Sequence, residues 1–400
     1  MTFPLIVFRN LRQHALSTII TALAIALAGG LLMSVWVVKT QSQATFTQMN
    51  AGFDAVLGAR GSKLQLVLNA IFHLEASPGN VAAADYEAIK LHPAVKLAIP
   101  IAVGDNLRGY RIVGTVPELF DKVEYMQGKK FTVREGKAFD PSAKEAVMGS
   151  FVAERLGLKV GDVFHPFHGL IYDEKNQHAD TYHVTGILAP SNTPADKVIW
   201  IPLHGLQTMS GHDPKAATDV SAVLIQLKSP ASGFMLDMMY NKQGNRLTFA
   251  YPVGSIMADL FNKIGWFDQV LSLVAYLVAV VSAAGVLVAI YNSMSARRRD
   301  IAILRALGAR RLSLFGIIVA EAAVIGALGM VAAFAVYGVV VGGVAAIIRA
   351  QTGVLLEIFT YNPVMLWAPL GMVALCALCG LVPAWKAYRT DVAENLSPLS

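Results

Sequence analysis

Four long apolar runs constrain this chain more than any other feature of its sequence. Residues 16–38 and 270–291 carry no charge, residues 314–343 carry a single one, and residues 363–385 form the fourth run. Each run is long enough to cross the ~30 Å hydrocarbon core of a bilayer as a helix. The sequence therefore predicts a membrane protein with one span near its start and three near its end.

The first run has a competing interpretation as a cleaved signal peptide. However, it is longer than a typical signal core, and Val35-Trp36-Val37-Val38 offers no small-residue cleavage site. We therefore expect a retained span. Residues 3–14, which precede it, have an apolar face and a basic face and predict an amphipathic helix on the inner membrane surface.

The 400 residues are 55% hydrophobic and only 15% charged, which is too apolar for an ordinary soluble domain. Lysine and arginine cluster at the N-terminus, in residues 297–311 and at 386–389, and are sparse in residues 344–362. Basic residues beside spans mark the cytoplasmic side, so both termini are predicted to be cytoplasmic. The same rule accounts for the net charge of +6 without any nucleic-acid partner.

The segment between the first two spans has the composition of a folded soluble domain. Helical patterns are expected before residue 100, including Ala82–Leu91, and again from 230 to 265. Ser150–Leu156 predicts one more helix, with Gly157 as its C-terminal cap. Short apolar runs bounded by glycine and proline predict strands at Leu97–Ile101, Tyr110–Val116, Ala146–Met148, Tyr182–Leu188, Val198–Pro202 and Ala222–Leu227.

The predicted fold class is four transmembrane α-helices, one plus three, with a large α+β extracytoplasmic domain between spans one and two. In that domain, a β-rich lobe is expected between helical segments. The predicted order is a cytoplasmic amphipathic helix at 1–15, a span at 16–39, the extracytoplasmic domain at 40–266, a span at 267–293, a cytoplasmic loop helix at 294–313, a span at 314–345, a short outer loop at 346–362, a span at 363–385 and a cytoplasmic tail at 386–400.

The loop between spans two and three carries six arginines within fifteen residues. At about 100° per residue, its apolar side chains share one face of a short helix, which Gly308 then ends. Such a helix at the inner membrane face can dock a cytoplasmic partner. It can equally be a topological anchor, since the arginines are needed for orientation in either case.

Two further sets of residues could carry chemistry. Glu321 lies about two turns inside its span, where a carboxylate is costly; it either pairs with a nearby loop arginine or takes part in coupling. The extracytoplasmic segment also holds closely spaced histidines, which can bind zinc as neutral imidazoles. Because proline and glycine surround the first pair and no cysteine accompanies them, we expect no metal site, with these residues as the alternative candidates: His165, His168, His178 and His183.

Catalysis is not expected on this chain. The sequence contains no G-x-x-x-x-G-K-[ST] loop for binding nucleotide phosphates, and no local pattern indicates a catalytic triad or dyad. We therefore predict neither an enzyme nor a cofactor bound to this chain.

Three stretches resemble the membrane subunits of FtsX/MacB-type (LolC-like) ABC transporters. The stretches are Arg298–Ala309 followed by Glu321, Ala146–Ser150 through Leu158–Asp162, and Pro383–Ala387 with Asp391 and Glu394. Together with the one-plus-three order of spans, the resemblance covers nearly the whole chain.

The resemblance implies a permease subunit of the bacterial inner membrane, with residues 40–266 in the periplasm. Two copies of a separate cytoplasmic ATPase, which bind ATP and Mg²⁺, would drive motion of the outer domain. It further implies a homodimer or pseudo-dimer in membrane lipid, working with a periplasmic adaptor or lipoprotein to export or extract a peptide, lipid or lipoprotein. Carried over position by position, the ATPase-docking face would be Asp300, Ile301, Leu304, Arg305, Leu307 and Gly308.

Two other functions stay open on the sequence. One is an FtsX-like regulator, in which the outer domain activates an extracellular hydrolase and nothing is transported. The other is a component of a zinc-linked transport system that uses the histidines named above.

Overall fold

The computed structural model describes residues 3–212, 217–296, 310–357 and 360–389. The chain divides into two compact units. The helical unit comprises Met1–Gln41, Ile264–Ala345 and Glu357–Ser400. The sheet domain comprises Ser42–Lys263 together with Ala346–Leu356, a short stretch from the far end of the chain.

Four helices in the described ranges are long and apolar enough to cross a membrane. They are α2 (Ala15–Gln48), α9 (Val253–Ala296), α10 (Arg311–Thr352) and α11 (Val364–Arg389), and the shorter α1 (Phe3–Gln13) precedes them. The predicted fold class, four apolar helices with a large domain between the first and second, is confirmed. The helices run past the predicted spans, since α2 continues to Gln48 and α9 already begins at Val253.

Small residues bring the membrane helices close together within the helical unit. A Cβ atom added at Gly29 of α2 would lie 2.4 Å from Sδ of Met330 on α10, and one at Gly329 would lie 2.6 Å from Ile25. Close backbone approach of this kind is how helices pack in lipid, where water supplies no hydrophobic driving force between them. Ile25, Met33 and Met330 are accordingly buried.

Short helices lie between some of the strands of the sheet domain. The strands are β1 (Ala55–Ala59), β2 (Val95–Leu107), β3 (Tyr110–Thr115), β4 (Glu124–Met126), β5 (Lys129–Lys130), β6 (Val133–Gly136), β7 (Glu145–Met148), β8 (Val163–Phe164), β9 (Phe167–His168), β10 (Tyr182–Leu188), β11 (Ile199–Pro202), β12 (Ala222–Leu227) and β13 (Leu247–Ala250). The helices are α3 (Lys63–Ala70), α4 (Ala83–Lys90), α5 (Glu118–Asp121), α6 (Ser150–Leu156), α7 (Leu203–Gln207) and α8 (Pro230–Met238).

Nine of the strands form one path in the order β13-β1-β12-β2-β3-β11-β7-β10-β6, with β8 added at β10 and β9 added at β2. The long strand β2 serves two neighbours. Its first half pairs with β12 and its second half, from Ala102, pairs with β3. The buried apolar side chains of the sheet domain form three clusters along this path. These clusters are the hydrophobic core of the domain, and the loops are anchored to it.

One sequence expectation for this domain is wrong. The β-rich lobe was expected between helical segments, yet β1 and β13 come from those flanking segments and pair with each other. Both are four or five residues long and fully or nearly buried, so neither has the alternation of apolar and polar residues that signals a strand. The helix at Ser150–Leu156 was predicted correctly, and Gly157 ends it with φ +68°.

Candidate functional site

The second half of β2 brings one buried carboxylate together with three imidazoles. Asp105 lies just past a register shift in β2, directly opposite His168 of β9. Oδ1 of Asp105 lies 3.3 Å from Nδ1 of His168, 3.1 Å from Nε2 of His178 and 3.2 Å from Nε2 of His212. The four ligand atoms all lie within 4.8 Å of one another. This group is called the Asp–His cluster below.

Burial in the Asp–His cluster is graded. The side chain of Asp105 is 0% exposed, His178 5%, His212 16% and His168 57%. The three imidazole rings contact one another edge to face, with centroids 5.2–5.4 Å apart. The cluster is therefore closed around the carboxylate and open to solvent on the His168 side.

Backbone carbonyls fix the protonation of two of the rings. Nδ1 of His212 lies 2.9 Å from the carbonyl oxygen of Leu206, and Nδ1 of His178 is hydrogen-bonded to the carbonyl oxygen of Ser210. A carbonyl oxygen can only accept, so both Nδ1 atoms carry the proton. In the neutral ring, Nε2 then presents a lone pair towards Asp105. In the protonated ring, Nε2 instead donates a hydrogen bond to Asp105, and this bond raises the pKa of His212, although burial opposes it.

A second carboxylate holds the segment that supports His178. The carboxylate of Asp180 accepts hydrogen bonds from the backbone N–H and hydroxyl of Ser210 and forms an ion pair with Lys144. Burial alone would raise the pKa of Asp180, but these partners lower it to about 2. Asp180 is therefore ionised at neutral pH and keeps the Ser210 carbonyl in place for His178.

The structure separates the four histidines that the sequence offered as metal-ligand candidates into two pairs. His168 and His178 are in the Asp–His cluster, whereas His165 and His183 are outside it. Nδ1 of His165 lies 3.1 Å from the carbonyl oxygen of Asp180, and His183 is exposed on β10 opposite Glu145. Sequence reasoning missed Asp105 and His212, because the β2–β9 pairing and the end of α7 bring them in from far along the chain. No local spacing signals either residue.

A second region of the sheet domain holds the returning stretch 346–356, called the attachment segment here. The side chain of Asn192 donates to the carbonyl oxygen of Leu355 at 3.3 Å and accepts from its N–H. Lys197 donates to the carbonyl oxygen of Gln351. Gly353 takes φ +79° and would place a Cβ 3.0 Å from Cβ of Lys197, so only glycine fits this turn easily.

Arg349 adds an outer contact to the attachment segment. Its guanidinium lies 3.0 Å from the carboxylate of Glu154 and 5.4 Å from the ring centroid of Phe151, both on α6. The two charged side chains are 38% and 65% exposed, so this ion pair contributes little to stability.

In the helical unit, Glu321 is buried and accepts a hydrogen bond from Nδ2 of Asn10 at 3.4 Å. An amide on the N-terminal helix is thus one partner of this carboxylate. The sequence-predicted docking face, residues 300, 301, 304, 305, 307 and 308, lies outside the described residues, as do most of the loop arginines considered as partners for Glu321.

Comparison with known proteins agrees with this architecture. The family model for the MacB-like periplasmic core domain matches residues 18–233, and that for the FtsX-like permease C-terminal region matches residues 272–392. A macrolide export ATP-binding/permease protein MacB from Nitrobacter winogradskyi is 25% identical over 220 residues. The match covers 54% of this chain and 33% of the relative, so the chain spans about a third of that relative's length.

Two solved structures resemble the chain. The extracellular domain of the noncanonic ABC-type transporter YknZ from Gram-positive bacteria is 17% identical with a TM-score of 0.31, covering 48% of this chain and 97% of that one. The periplasmic region of MacB from Actinobacillus actinomycetemcomitans is 10% identical with a TM-score of 0.35, covering 53% and 93%.

The core-domain match covers most of α2 and of the sheet domain, and the permease match covers most of the last three apolar helices. Four such helices and a domain of this kind fit a permease of the inner membrane. The chain belongs to the family of FtsX/MacB-like ABC transporter permeases.

Proposed function

We propose that this chain is the membrane subunit of an ABC transporter that works by moving its sheet domain. ATP and Mg²⁺ bind a separate cytoplasmic ATPase, present in two copies, and the chain acts as a homodimer with both termini in the cytoplasm. The moving domain exports or extracts a substrate from the outer side of the inner membrane, together with a periplasmic adaptor or lipoprotein. Family membership supports the permease class and, in general terms, an ATPase partner and a dimer.

The observation that carries the proposal is the attachment segment. The polypeptide passes between the two units four times, near residues 41, 263, 345 and 356. The last two passages flank the attachment segment, which the side chains of Asn192 and Lys197 hold within the sheet domain. A displacement of α10 or α11 is therefore transmitted to the sheet domain through hydrogen bonds as well as through the continuous backbone.

The docking half of the proposal is tested by purifying the tagged chain from native membranes. Leu307→Asp places a charge at the centre of the predicted docking face, and we expect it to lose the ATPase that co-purifies with the native chain. Ala306→Asp is the matched control, because at about 100° per residue position 306 lies on the opposite face of the predicted helix. If no P-loop ATPase accompanies the native chain, the proposal fails.

The proteins that co-purify also separate transport from regulation. An adaptor or an outer-membrane protein supports transport, whereas a cell-wall hydrolase that is recovered with the ATPase indicates the regulatory function instead.

The coupling half is tested on the assembled complex. Hydrogen exchange of the sheet domain is compared with and without ATP in the native chain and in the double variant Asn192→Ala/Lys197→Ala. We expect the variant to retain the ATPase but to lose most of the ATP-dependent change in exchange. An unchanged response in a variant that still binds the ATPase would refute transmission through the attachment segment.

A further inference from the structure

We propose that Asp105, His168, His178 and His212 bind one zinc ion in the sheet domain. This inference is independent of the transport proposal, because it concerns a ligand of the domain itself. It starts from the geometry of the Asp–His cluster, in which three imidazole nitrogens approach the same carboxylate oxygen at 3.1–3.3 Å.

The arrangement is unfavourable while the rings are neutral and no cation is bound. His178 and His212 each donate Nδ1–H to a backbone carbonyl, so their neutral rings direct the Nε2 lone pair at an oxygen that is itself an acceptor. A metal ion among the four groups accepts all of these lone pairs at once.

The carboxylate itself points to a ligand. Oδ2 of Asp105 is buried and, in the described part of the chain, has no hydrogen-bond partner. A buried carboxylate oxygen ordinarily receives at least one hydrogen bond, because leaving it unpaired is costly. A bound cation would supply the missing interaction.

The supporting contacts are also those of a metal site. Imidazole ligands of metals almost always donate their second ring nitrogen to a carbonyl or carboxylate, which fixes the tautomer and the ring orientation. Leu206 and Ser210 provide these carbonyls, and Asp180 in turn holds Ser210.

The ligand set selects the metal. Three nitrogens and one oxygen suit zinc in tetrahedral coordination, whereas calcium and magnesium require oxygen ligands. A tetrahedral zinc places its ligand atoms about 3.3 Å apart, so the most distant pair, now within 4.8 Å, would approach further on binding. Four protein ligands leave no position for a reacting water, so the ion would cross-link β2, β9, the segment before β10 and the segment after α7 rather than catalyse a reaction.

The test measures zinc binding by the full chain, purified without a histidine tag, reconstituted in lipid nanodiscs and stripped of metal with a chelator. Zinc is titrated in competition with a chromophoric chelator. We expect one ion per chain with a dissociation constant below about 1 µM. Asp105→Asn and His178→Ala should each weaken binding by at least about 100-fold.

The matched controls are His165→Ala and His183→Ala, which remove nearby histidines outside the cluster and should leave the affinity unchanged. The proposal is overturned if the native chain binds no zinc more tightly than micromolar, or if the controls weaken binding as much as the cluster variants do.

A spectroscopic arm uses the unmutated chain and so does not depend on the folding of any variant. Cobalt replaces zinc in the same titration, and its visible absorption reports coordination geometry. An intense band displaced by one equivalent of zinc supports a four-coordinate site. A weak six-coordinate spectrum, or a band that zinc does not displace, overturns the proposal.

Discussion

Two buried aspartates of the sheet domain have opposite surroundings. Asp196, beside the attachment segment, accepts from the N–H groups of Ser191 and Asn192 at 2.8–3.0 Å and from the Ser191 hydroxyl at 2.8 Å. Both of its carboxylate oxygens therefore receive donors. Asp105 has one oxygen facing three imidazoles and another with no partner among the described residues.

The contrast separates a structural carboxylate from a ligand. Backbone N–H groups satisfy the charge of Asp196 and tie a turn together, even though burial raises its pKa. The neighbours of Asp105 are imidazole side chains, whose ring nitrogens can bind a metal. Burial is similar at the two sites, 4% and 0% exposed, so the identity of the partners rather than burial distinguishes them.

The largest expected effect is the difference in unfolding free energy between two alanine variants of metal-free protein, one at each aspartate. Asp196→Ala should destabilise the sheet domain by about 2–4 kcal/mol, because two backbone N–H groups and the Ser191 hydroxyl lose a charged acceptor. With a chelator present, Asp105→Ala should lower the free energy of unfolding by less than about 1 kcal/mol, because His178 and His212 keep their carbonyl partners. Thermal unfolding of the full chain in nanodiscs gives both values. Equal losses of stability in the two variants would contradict the distinction drawn between the two aspartates.

Zinc should act on only one of the two regions. At a free concentration one hundred times the dissociation constant, ligand binding stabilises the bound form by about 2.7 kcal/mol. We expect hydrogen exchange to slow around 165–180 and 204–212 and to be unchanged at 191–197. Slowing that is as strong at 191–197 would mean that zinc stabilises the domain as a whole and not at the cluster.

His73 shows whether a buried polar atom without a hydrogen-bond partner is by itself enough to indicate a metal site. Nδ1 of His73 is enclosed and has no hydrogen-bond partner in the described chain, and its ring packs on Trp200 at 5.7 Å. Burial, with Arg111 as a lesser cause, lowers the pKa of His73 to about 3. Among the described residues, His73 is not part of any group that could hold a metal ion.

His73 is therefore neutral in the folded domain between about pH 6.5 and pH 3, where the same side chain is protonated in the unfolded chain. Stability that is present at pH 7 should be lost as the pH falls from about 6.5 towards 3, by on the order of 1–2 kcal/mol at pH 5. The difference between the native chain and His73→Leu, measured by thermal unfolding at pH 7 and pH 5 in chelator, isolates this contribution. A pH-independent difference would contradict it.

The smallest effects are expected in the attachment segment. Asn192→Ala should cost about 1 kcal/mol, because it removes a reciprocal pair of hydrogen bonds with Leu355. Arg349→Ala should cost less than about 0.5 kcal/mol, because its ion pair with Glu154 is solvent-exposed. Hydrogen exchange of residues 349–356 reports both, and a larger effect of Arg349→Ala would reverse our ranking of the two contacts.

The membrane helices could be predicted from the sequence because length and apolar composition are local properties. The same holds for Tyr182–Leu188 and Ala222–Leu227, which are strands with the predicted bounds. The strands β1 and β13 were missed because both lie in segments with helical patterns, and a short buried run cannot be told from a buried helix segment by periodicity alone.

Only two of the four residues of the Asp–His cluster could be named from the sequence. His168 and His178 are close in sequence and were named as candidates, but spacing alone could not separate them from His165 and His183. The choice depends on the register that places Asp105 opposite His168, and on the turn after α7 that brings in His212. Register of this kind is set by long-range pairing and is not encoded in local spacing.

The returning stretch at 346–356 has a practical consequence for work on the soluble part of this protein. A fragment cut at the ends of the inter-span segment, 42–263, would leave Asn192 and Lys197 without their backbone partners on Leu355 and Gln351. Joining the eleven missing residues to that fragment through a flexible linker restores these bonds within one chain. A crystallisation or binding study should begin from the joined version.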